Sequence, residues 1–318
     1  MGSLRIGTCS WTDKTMVAAW YPPGVNTAEA RLRYYAARFD TVEADSPFYA
    51  IPDRRTTTLW AQRTPPGFVF HVKAFGMMTQ HAVLEQALPP ELRDFPHEVT
   101  ERGRVARPDA DMVDAAFDMF ISAVEPLAES HKLGGILMQY PPYFTASPDR
   151  LARNLGYLEY CREKLADRRM LVEFRHPSWV EGEQLARTLA FLEERGMSYV
   201  SVDAPQFAER LTMPPIAEVT SGVAYVRFHG RNRDTYFART ETAADRFDYL
   251  YTPDELCEWE GKLRDLAGAA DETYVMFNNC RFDYAPRNAA EMAEILADLV
   301  DPLGDGELPG HHEEQTLF

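Results

Sequence analysis

The stretch MLVEFR, residues 170–175, alternates between two kinds of side chain. Val172 and Phe174 form an apolar class, whereas Glu173 and Arg175 belong to a second class that ends in charge. Successive side chains of a β-strand point to opposite faces. The stretch therefore predicts a strand with one apolar face and one face that becomes charged at its C-terminal end.

Seven other short apolar runs end in polar side chains, and helical periodicity follows most of them. Eight strand-then-helix units predict an α/β fold of the (β/α)8 TIM-barrel type, built as a single domain. In such a barrel the C-terminal strand ends meet at one mouth. The eight predicted strands are 4–8, 41–45, 68–73, 135–139, 170–175, 198–203, 223–229 and 274–278.

Five further runs repeat the alternation seen in residues 170–175. Because helices cover the outside of a barrel, we expect the polar class to face the axis near the mouth. The sequences of buried parallel strands are normally almost continuous apolar runs. Polar side chains on one face of these strands therefore predict a functional site. A buried ion-pair network that only fixes strand register remains an alternative, although desolvation offsets much of its stabilisation.

The composition limits the class of protein. A chain of 318 residues with 45% hydrophobic content can form one barrel with a large core. The formal net charge of −16 argues against a general polyanion binder, although it leaves room for a local basic pocket. We interpret the four cysteines, which show no metal-ligand spacing, as reduced thiols of a cytoplasmic protein. No apolar run approaches the roughly 20 residues of a membrane helix, so no membrane contact is expected.

We expect the barrel to occupy residues 1–300 and an acidic, disordered tail to occupy residues 301–318. Two long loops, 75–108 after strand 3 and 230–252 after strand 7, should lie on the mouth side. Loops of this length are often lids or binding loops. The second is rich in Arg and Tyr, which suits an anion or a planar ligand, although a solvated loop with a few packed aromatics is the alternative.

Predicted helices follow most of the strands. The connection 204–220 is the exception, because it contains prolines and only a weak helical pattern. The predicted helices are 27–39, 54–63, 110–130, 148–166, 180–195, 253–267 and 286–300.

Several motifs, in order along the barrel, resemble the YecE-like barrels, a family of unknown function. They are GTCSW (7–11), FDTVE (39–43), FY (48–49), PGF (66–68), QYPP (139–142), EFRHPSW (173–179), RFHG (227–230) and FNN (277–279). The resemblance implies a (β/α)8 barrel and implies no reaction. Ser10 stands where the family usually has glycine, and Asp45 stands where it usually has asparagine, which adds a carboxylate beside Glu43.

The leading interpretation is an enzyme, a hydrolase or lyase, that uses acid–base chemistry on a small anionic substrate. Mixed charge at one site can split carboxylate pKa values into an acid and a base, and histidine can carry protons. Cations from three strands could hold a phosphate or a carboxylate. The catalytic candidates are Glu43, Glu173, His229 and Asp203, and the substrate-binding candidates are Lys73, Gln139, Arg175, Arg227, Asn278, Trp11 and Tyr49.

Other interpretations remain open. Nucleic-acid phosphodiester chemistry, as in barrel-type repair endonucleases, rests on fold analogy and is opposed by the acidity of the chain. A non-catalytic metabolite-binding barrel is a third class. A divalent metal has usable ligands but no HxH or HExxH spacing, so we assign no metal residue, and no organic cofactor is implied. The end of the chain, 315–318, loosely resembles a sliding-clamp-binding peptide, but an incidental disordered end is preferred.

Two local predictions follow from residues near strands 5 and 7. The residue before proline avoids the α region, so His176 should be extended, and Ser178 should then cap the fifth helix. We also predict an anion site centred on Arg175 and Arg227. Both remain charged when buried and need counter-charges, of which Glu43 and Glu173 can supply some and a bound oxyanion could supply the rest.

Overall fold

The strands form a closed parallel barrel in which each strand pairs with the next along the chain and the last pairs with the first. A computed structural model describes residues 2–207, 212–238 and 243–300. The prediction of a (β/α)8 TIM barrel is confirmed. The strands are β1 (Ser3–Thr8), β2 (Thr41–Ala44), β3 (Val69–Lys73), β4 (Leu133–Gln139), β5 (Met170–Glu173), β6 (Ser198–Asp203), β7 (Val223–Phe228) and β8 (Glu272–Phe277).

The helices lie close to their predicted positions, and the described residues also form three short helices that the sequence did not predict, Lys14–Ala19, Pro90–Arg93 and Ala243–Arg246. A short helix capped by Asp13 follows β1, the predicted helix 253–267 is divided into two, and the fifth predicted helix begins at Glu183 rather than at residue 180. The described part of the connection after β6, residues 204–207 and 212–222, contains no helix. The helices are α1 (Lys14–Ala19), α2 (Ala28–Ala36), α3 (Arg54–Gln62), α4 (Pro90–Arg93), α5 (Ala110–Glu129), α6 (Leu151–Leu165), α7 (Glu183–Glu194), α8 (Ala243–Arg246), α9 (Pro253–Cys257), α10 (Glu260–Ala269) and α11 (Tyr284–Ile295).

Side-chain alternation places the two predicted classes on the two faces of the barrel. Val172 and Phe228, of the apolar class, are fully buried, and Phe228 packs against Trp259 at the start of α10. On the other face, the Tyr225 hydroxyl of β7 reaches Glu43 of β2, which is possible only through the barrel interior. The polar class therefore lines the axis.

Both long loops are found on the mouth side. The loop between β3 and α5 contains α4, two 3₁₀ turns (Gly76–Thr79 and Glu85–Ala87) and two isolated bridges, so it has structure of its own. The described part of the loop after β7 contains α8. The predicted tail, residues 301–318, and its clamp-like end lie outside the described residues.

The prediction for residues 176–178 is half right. His176 is extended, with φ −132° and ψ 129°. The capping prediction for Ser178 is wrong, because Pro177 begins a 3₁₀ turn (Pro177–Trp179) and α7 starts only at Glu183. The Ser178 hydroxyl instead accepts the backbone N–H of Ala146, so it joins the β5 loop to the β4 loop.

Candidate functional site

Arg227, on β7, is the centre of the polar interior and has no exposed surface. Its Nη1 donates to Glu173 Oε2 at 2.6 Å, and its Nη2 donates to Glu43 Oε1 at 2.5 Å. The two carboxylates, from β5 and β2, are also fully buried. One guanidinium thus joins three strands, and the protein itself supplies the counter-charge that burial of an arginine requires.

Glu173 accepts four hydrogen bonds from side chains of its neighbours. Its Oε1 accepts from Gln139 Nε2 at 2.8 Å, from Arg175 Nη1 at 3.0 Å and from His229 Nε2 at 3.0 Å. We call this set, completed by Glu43 and the Tyr225 hydroxyl that donates to it at 2.8 Å, the Arg227 network. The structure therefore brings together Glu43, Glu173, His229, Gln139, Arg175 and Arg227, as the sequence predicted.

The two carboxylates of the Arg227 network have opposite pKa shifts. Burial raises the pKa of Glu43 to about 7, because desolvation outweighs the attraction of Arg227 and the nearby Asp45 repels a second charge. Burial would also raise the pKa of Glu173, but Arg227, His229 and Arg175 together hold it well below its usual range. At neutral pH Glu43 can hold a proton, whereas Glu173 is ionised.

The hydrogen bonds of His229 fix its proton. Asn278 Nδ2 lies 2.8 Å from His229 Nδ1, and His229 Nε2 lies 3.0 Å from Glu173 Oε1 and 3.2 Å from Arg175 Nη1. With the Asn278 amide assigned in this orientation, the matching tautomer has its proton on Nε2 and donates it to Glu173. Burial lowers the pKa of His229 to about 4, although Glu173 opposes the shift. His229 is therefore neutral at physiological pH and orients Glu173.

A more accessible layer lies above the Arg227 network. Lys73 Nζ is 3.6 Å from Asp45 Oδ1, and Asp45 Oδ1 is 3.8 Å from Arg227 Nη2. The Lys73 and Arg175 side chains are 11% and 15% exposed, so both cations reach the surface of the mouth, unlike Arg227. Of the two arginines predicted to centre an anion site, Arg227 is paired with Glu43 and Glu173, and Arg175 is the partly exposed one.

Three other predicted residues lie elsewhere. Asp203 belongs to a second group beneath the β7 loop, where it binds Arg231, Tyr251 and Trp259. Trp11 packs against Trp60 and Phe70 in the layer between strands and helices. Tyr49 is exposed on the loop after β2.

Four residues near the mouth were not among the predicted catalytic and substrate-binding residues. Asp45 bridges Lys73 and Arg227, and Tyr225 holds Glu43. Tyr236, from the β7 loop, accepts a hydrogen bond from Arg175 Nη2 at 3.2 Å. Burial and the nearby Lys73 lower the pKa of His81 to about 4. Side-chain alternation predicted that Tyr225 points inward, and Asp45 ends the second predicted strand. No local pattern could place Tyr236 and His81, which lie in loops.

The described residues contain no group of three His, Cys, Asp or Glu side chains arranged to hold a metal ion. Within the same residues, no helix is long and apolar enough to cross a membrane.

Comparisons with known proteins agree with the fold. The family described as "Protein of unknown function DUF72" matches residues 5–312. The UPF0759 protein YunF of Bacillus subtilis (strain 168) is 29% identical over 296 residues, which cover 92% of this chain and 94% of that protein. A solved DUF72 protein of Thermotoga maritima MSB8 is 29% identical with a TM-score of 0.72 over 93% of this chain and 99% of that one. A solved DUF72 protein of Enterococcus faecalis V583 is 24% identical with a TM-score of 0.75 over 96% and 100%.

Proposed function

Because the chain belongs to the DUF72 family, which brings no reaction with it, we propose its function from the residues of the barrel mouth. The proposal is an enzyme, a hydrolase or lyase, that performs acid–base chemistry on a small anionic substrate. We infer that the YecE-like motifs in the sequence are a resemblance to this same family.

The observation that supports the proposal best is the pair of carboxylates on one guanidinium. The pKa of Glu43 is raised to about 7 while that of Glu173 is held low, although both are buried against Arg227. A pair of acids whose environments separate their pKa values can divide the roles of proton donor and electrostatic stabiliser at neutral pH. Glu43 is therefore the proposed proton carrier, and Glu173 the proposed permanent anion.

Asp45 is the proposed carrier of a proton between the buried Glu43 and a substrate at the mouth. Its side chain is 24% exposed and lies between Lys73 and Arg227, whereas Glu43 has no exposed surface. A proton held by Glu43 could thus reach the mouth through Asp45, which adjoins it. The carboxylate at position 45 gives this chain a second acid at the place where a proton is needed.

Lys73 and Arg175 are the proposed contacts for the anion. Both are partly exposed, both carry hydrogen-bond donors, and they come from β3 and from the residues just after β5. Charged donors of this kind hold phosphate or carboxylate oxygens strongly. Gln139 and Asn278 then serve the site by orienting Glu173 and His229.

Thermal unfolding tests the anion site. We expect phosphate, sulfate or a dicarboxylate to stabilise the wild type at fixed ionic strength, by about 2.7 kcal/mol at a hundredfold excess over its Kd. Lys73→Met and Arg175→Met should lose this stabilisation. Arg195→Ala, which removes an arginine paired with Glu159 at the end of α7, should keep it. If no anion stabilises the wild type, a structural ion network becomes the better account of the mouth.

Turnover tests the chemistry separately. Reactions with a library of phosphate and carboxylate metabolites should show an activity that Glu43→Gln abolishes while anion binding persists. Binding without turnover across the library would identify a metabolite-binding barrel. Salt-sensitive binding of DNA that competes with phosphate would favour phosphodiester chemistry instead.

A further inference from the structure

A groove with a volume of about 440 Å³ opens beside the mouth, formed by the loops that follow β2, β3 and β4. Its volume falls in the range of small-molecule sites. Within the described residues, no lining side chain of the groove is acidic. The main lining residues are Phe48, Tyr49, His81, Val83, Leu84 and Tyr143.

Large apolar side chains of the groove are open to solvent. Tyr49 is 60% exposed and Tyr143 is 53% exposed. Aromatic side chains exposed together in a concave site are typical of ligand-binding surfaces. These residues therefore have surface left for a ligand.

Hydrogen bonds hold the walls of the groove in place. The Tyr143 hydroxyl donates to the carbonyl of Gln80 at 2.5 Å, which ties the β4 loop to the β3 loop. Arg104 Nη1 donates to the carbonyl of Ala82 at 2.6 Å, and Arg104 also pairs with Leu84 through an isolated bridge. A groove with fixed walls loses little conformational freedom when a ligand binds.

The groove and the proposed anion site share a wall. Lys73 Nζ lies 4.5 Å from the centre of the Phe48 ring, and that ring contacts the His81 ring at 5.0 Å between centroids. Phe48 and His81 both line the groove. An anion on Lys73 would therefore lie close to Phe48, which is also a lining residue of the groove.

We propose that the groove is a subsite for the planar apolar part of the substrate, so that the substrate class is an anion joined to an aromatic ring. The proposal rests on the proposed function, because Lys73 must hold the anion. It assigns a role to the long β3 loop, which supplies one side of the groove. Inorganic anions would occupy only half of the site.

Calorimetric titration with inorganic phosphate, 1-naphthyl phosphate and 1-naphthol tests the proposal on the full chain. Burial of the ring should make 1-naphthyl phosphate bind about tenfold more tightly than phosphate. Tyr49→Ala should remove this advantage without changing the Kd for phosphate. Phe282→Ala, which removes another exposed aromatic outside the groove, should retain it.

The outcomes separate the two proposals. If phosphate binds through Lys73 but naphthyl phosphate binds no more tightly, the groove is not a subsite while the anion site stands. If naphthol binds in a Tyr49-dependent manner but neither phosphate nor 1-naphthyl phosphate binds, the groove accepts an apolar ring, but the anion site and the proposed substrate class are both wrong. If no compound binds, or if Tyr49→Ala only converts a dimer to a monomer, the subsite proposal is wrong.

Discussion

The Arg227 network and the group around Asp203 are both built on a buried carboxylate and an arginine at the C-terminal ends of strands. In the Arg227 network two carboxylates share one fully buried guanidinium. We define the Asp203 cluster as Asp203, Arg231, Tyr251 and Trp259, in which one carboxylate receives three different donors. The first has two carboxylates on one central, fully buried cation, whereas the second has one carboxylate at its centre and a partly exposed arginine; in both, every oxygen of the central carboxylates accepts a hydrogen bond.

We expect this difference to distinguish the proposed site from a cluster with a structural role. Tyr251 also accepts the backbone N–H of Gly230, and Arg231 reaches Glu258 at 2.8 Å, so the Asp203 cluster fastens the β7 loop to α9 and the residues after it. Gly230 has φ +83°, and a Cβ there would lie 2.8 Å from Tyr249 Cβ, so the turn requires glycine. A buried acid at a strand end is thus no sign of catalysis until its partners are known.

Arg227→Met should have the largest effect. It leaves Glu43 buried without its paired cation and Glu173 with Arg175 alone, so we expect a loss of roughly 3–5 kcal/mol in the free energy of unfolding. Urea unfolding at several pH values measures it, and the loss should shrink at low pH as the carboxylates become protonated. A loss that does not change with pH would mean that the two acids are not the cause.

Glu43→Gln should reveal the raised pKa. Glu43 takes up a proton at about pH 7 in the folded protein, against an ordinary value of 4.5, so its contribution to stability is present below pH 4.5 and is lost as pH rises to about 7. Relative to the variant, which cannot titrate there, the wild type should lose on the order of 3 kcal/mol across this window.

The wild type has to be compared with Glu43→Gln because His229 changes the pH dependence of stability in the opposite direction. Its pKa is lowered to about 4, so its contribution is lost as pH falls below its ordinary value of 6.5. Both proteins carry His229, and its effect cancels in the difference between their unfolding curves. A difference that stays constant with pH would contradict the pKa raised at Glu43.

Asp203→Asn should reduce stability without affecting phosphate binding. Loss of the charged acceptor of Arg231 should cost about 2 kcal/mol of stability. The Kd for phosphate should not change, since the Asp203 cluster makes no contact with Lys73 or Arg175 among the described hydrogen bonds and ion pairs. Urea unfolding and calorimetry on the same preparation measure both quantities. A weaker affinity for phosphate would indicate that Asp203 contributes to the anion site after all.

Arg231→Met should have the smallest effect. The Arg231 side chain is 23% exposed, and Asp203 keeps its bonds to Tyr251 and Trp259, so we expect a loss of about 1 kcal/mol. A loss of stability as large as that of Arg227→Met would show that Arg231 is as important to the fold as Arg227. It would contradict the distinction between the Arg227 network and the Asp203 cluster.

Much of the fold could be predicted from the sequence because its signals are local. The alternation of Val172 and Phe174 with Glu173 fixed the inward face of β5, and the structure confirms it. The division of the helix after β7 and the late start of α7 were missed, because capping and turns in loops depend on contacts beyond the segment. Ser178 is an example, since its partner is the backbone of Ala146 in another loop.

The sequence by itself determined the barrel, the polar lining and which strand ends carry charge, because side-chain alternation follows from the backbone of each strand. Only the tertiary structure decided which charges meet. Arg227 and Glu43 lie 184 residues apart, and Glu173 reaches the same guanidinium from β5, while Asp203 turns to Tyr251 and Trp259 instead. Side-chain alternation assigns a side chain to one face of a strand. Its partner and its pKa depend on distances across the barrel and on exclusion of water, which exist only once the barrel is closed.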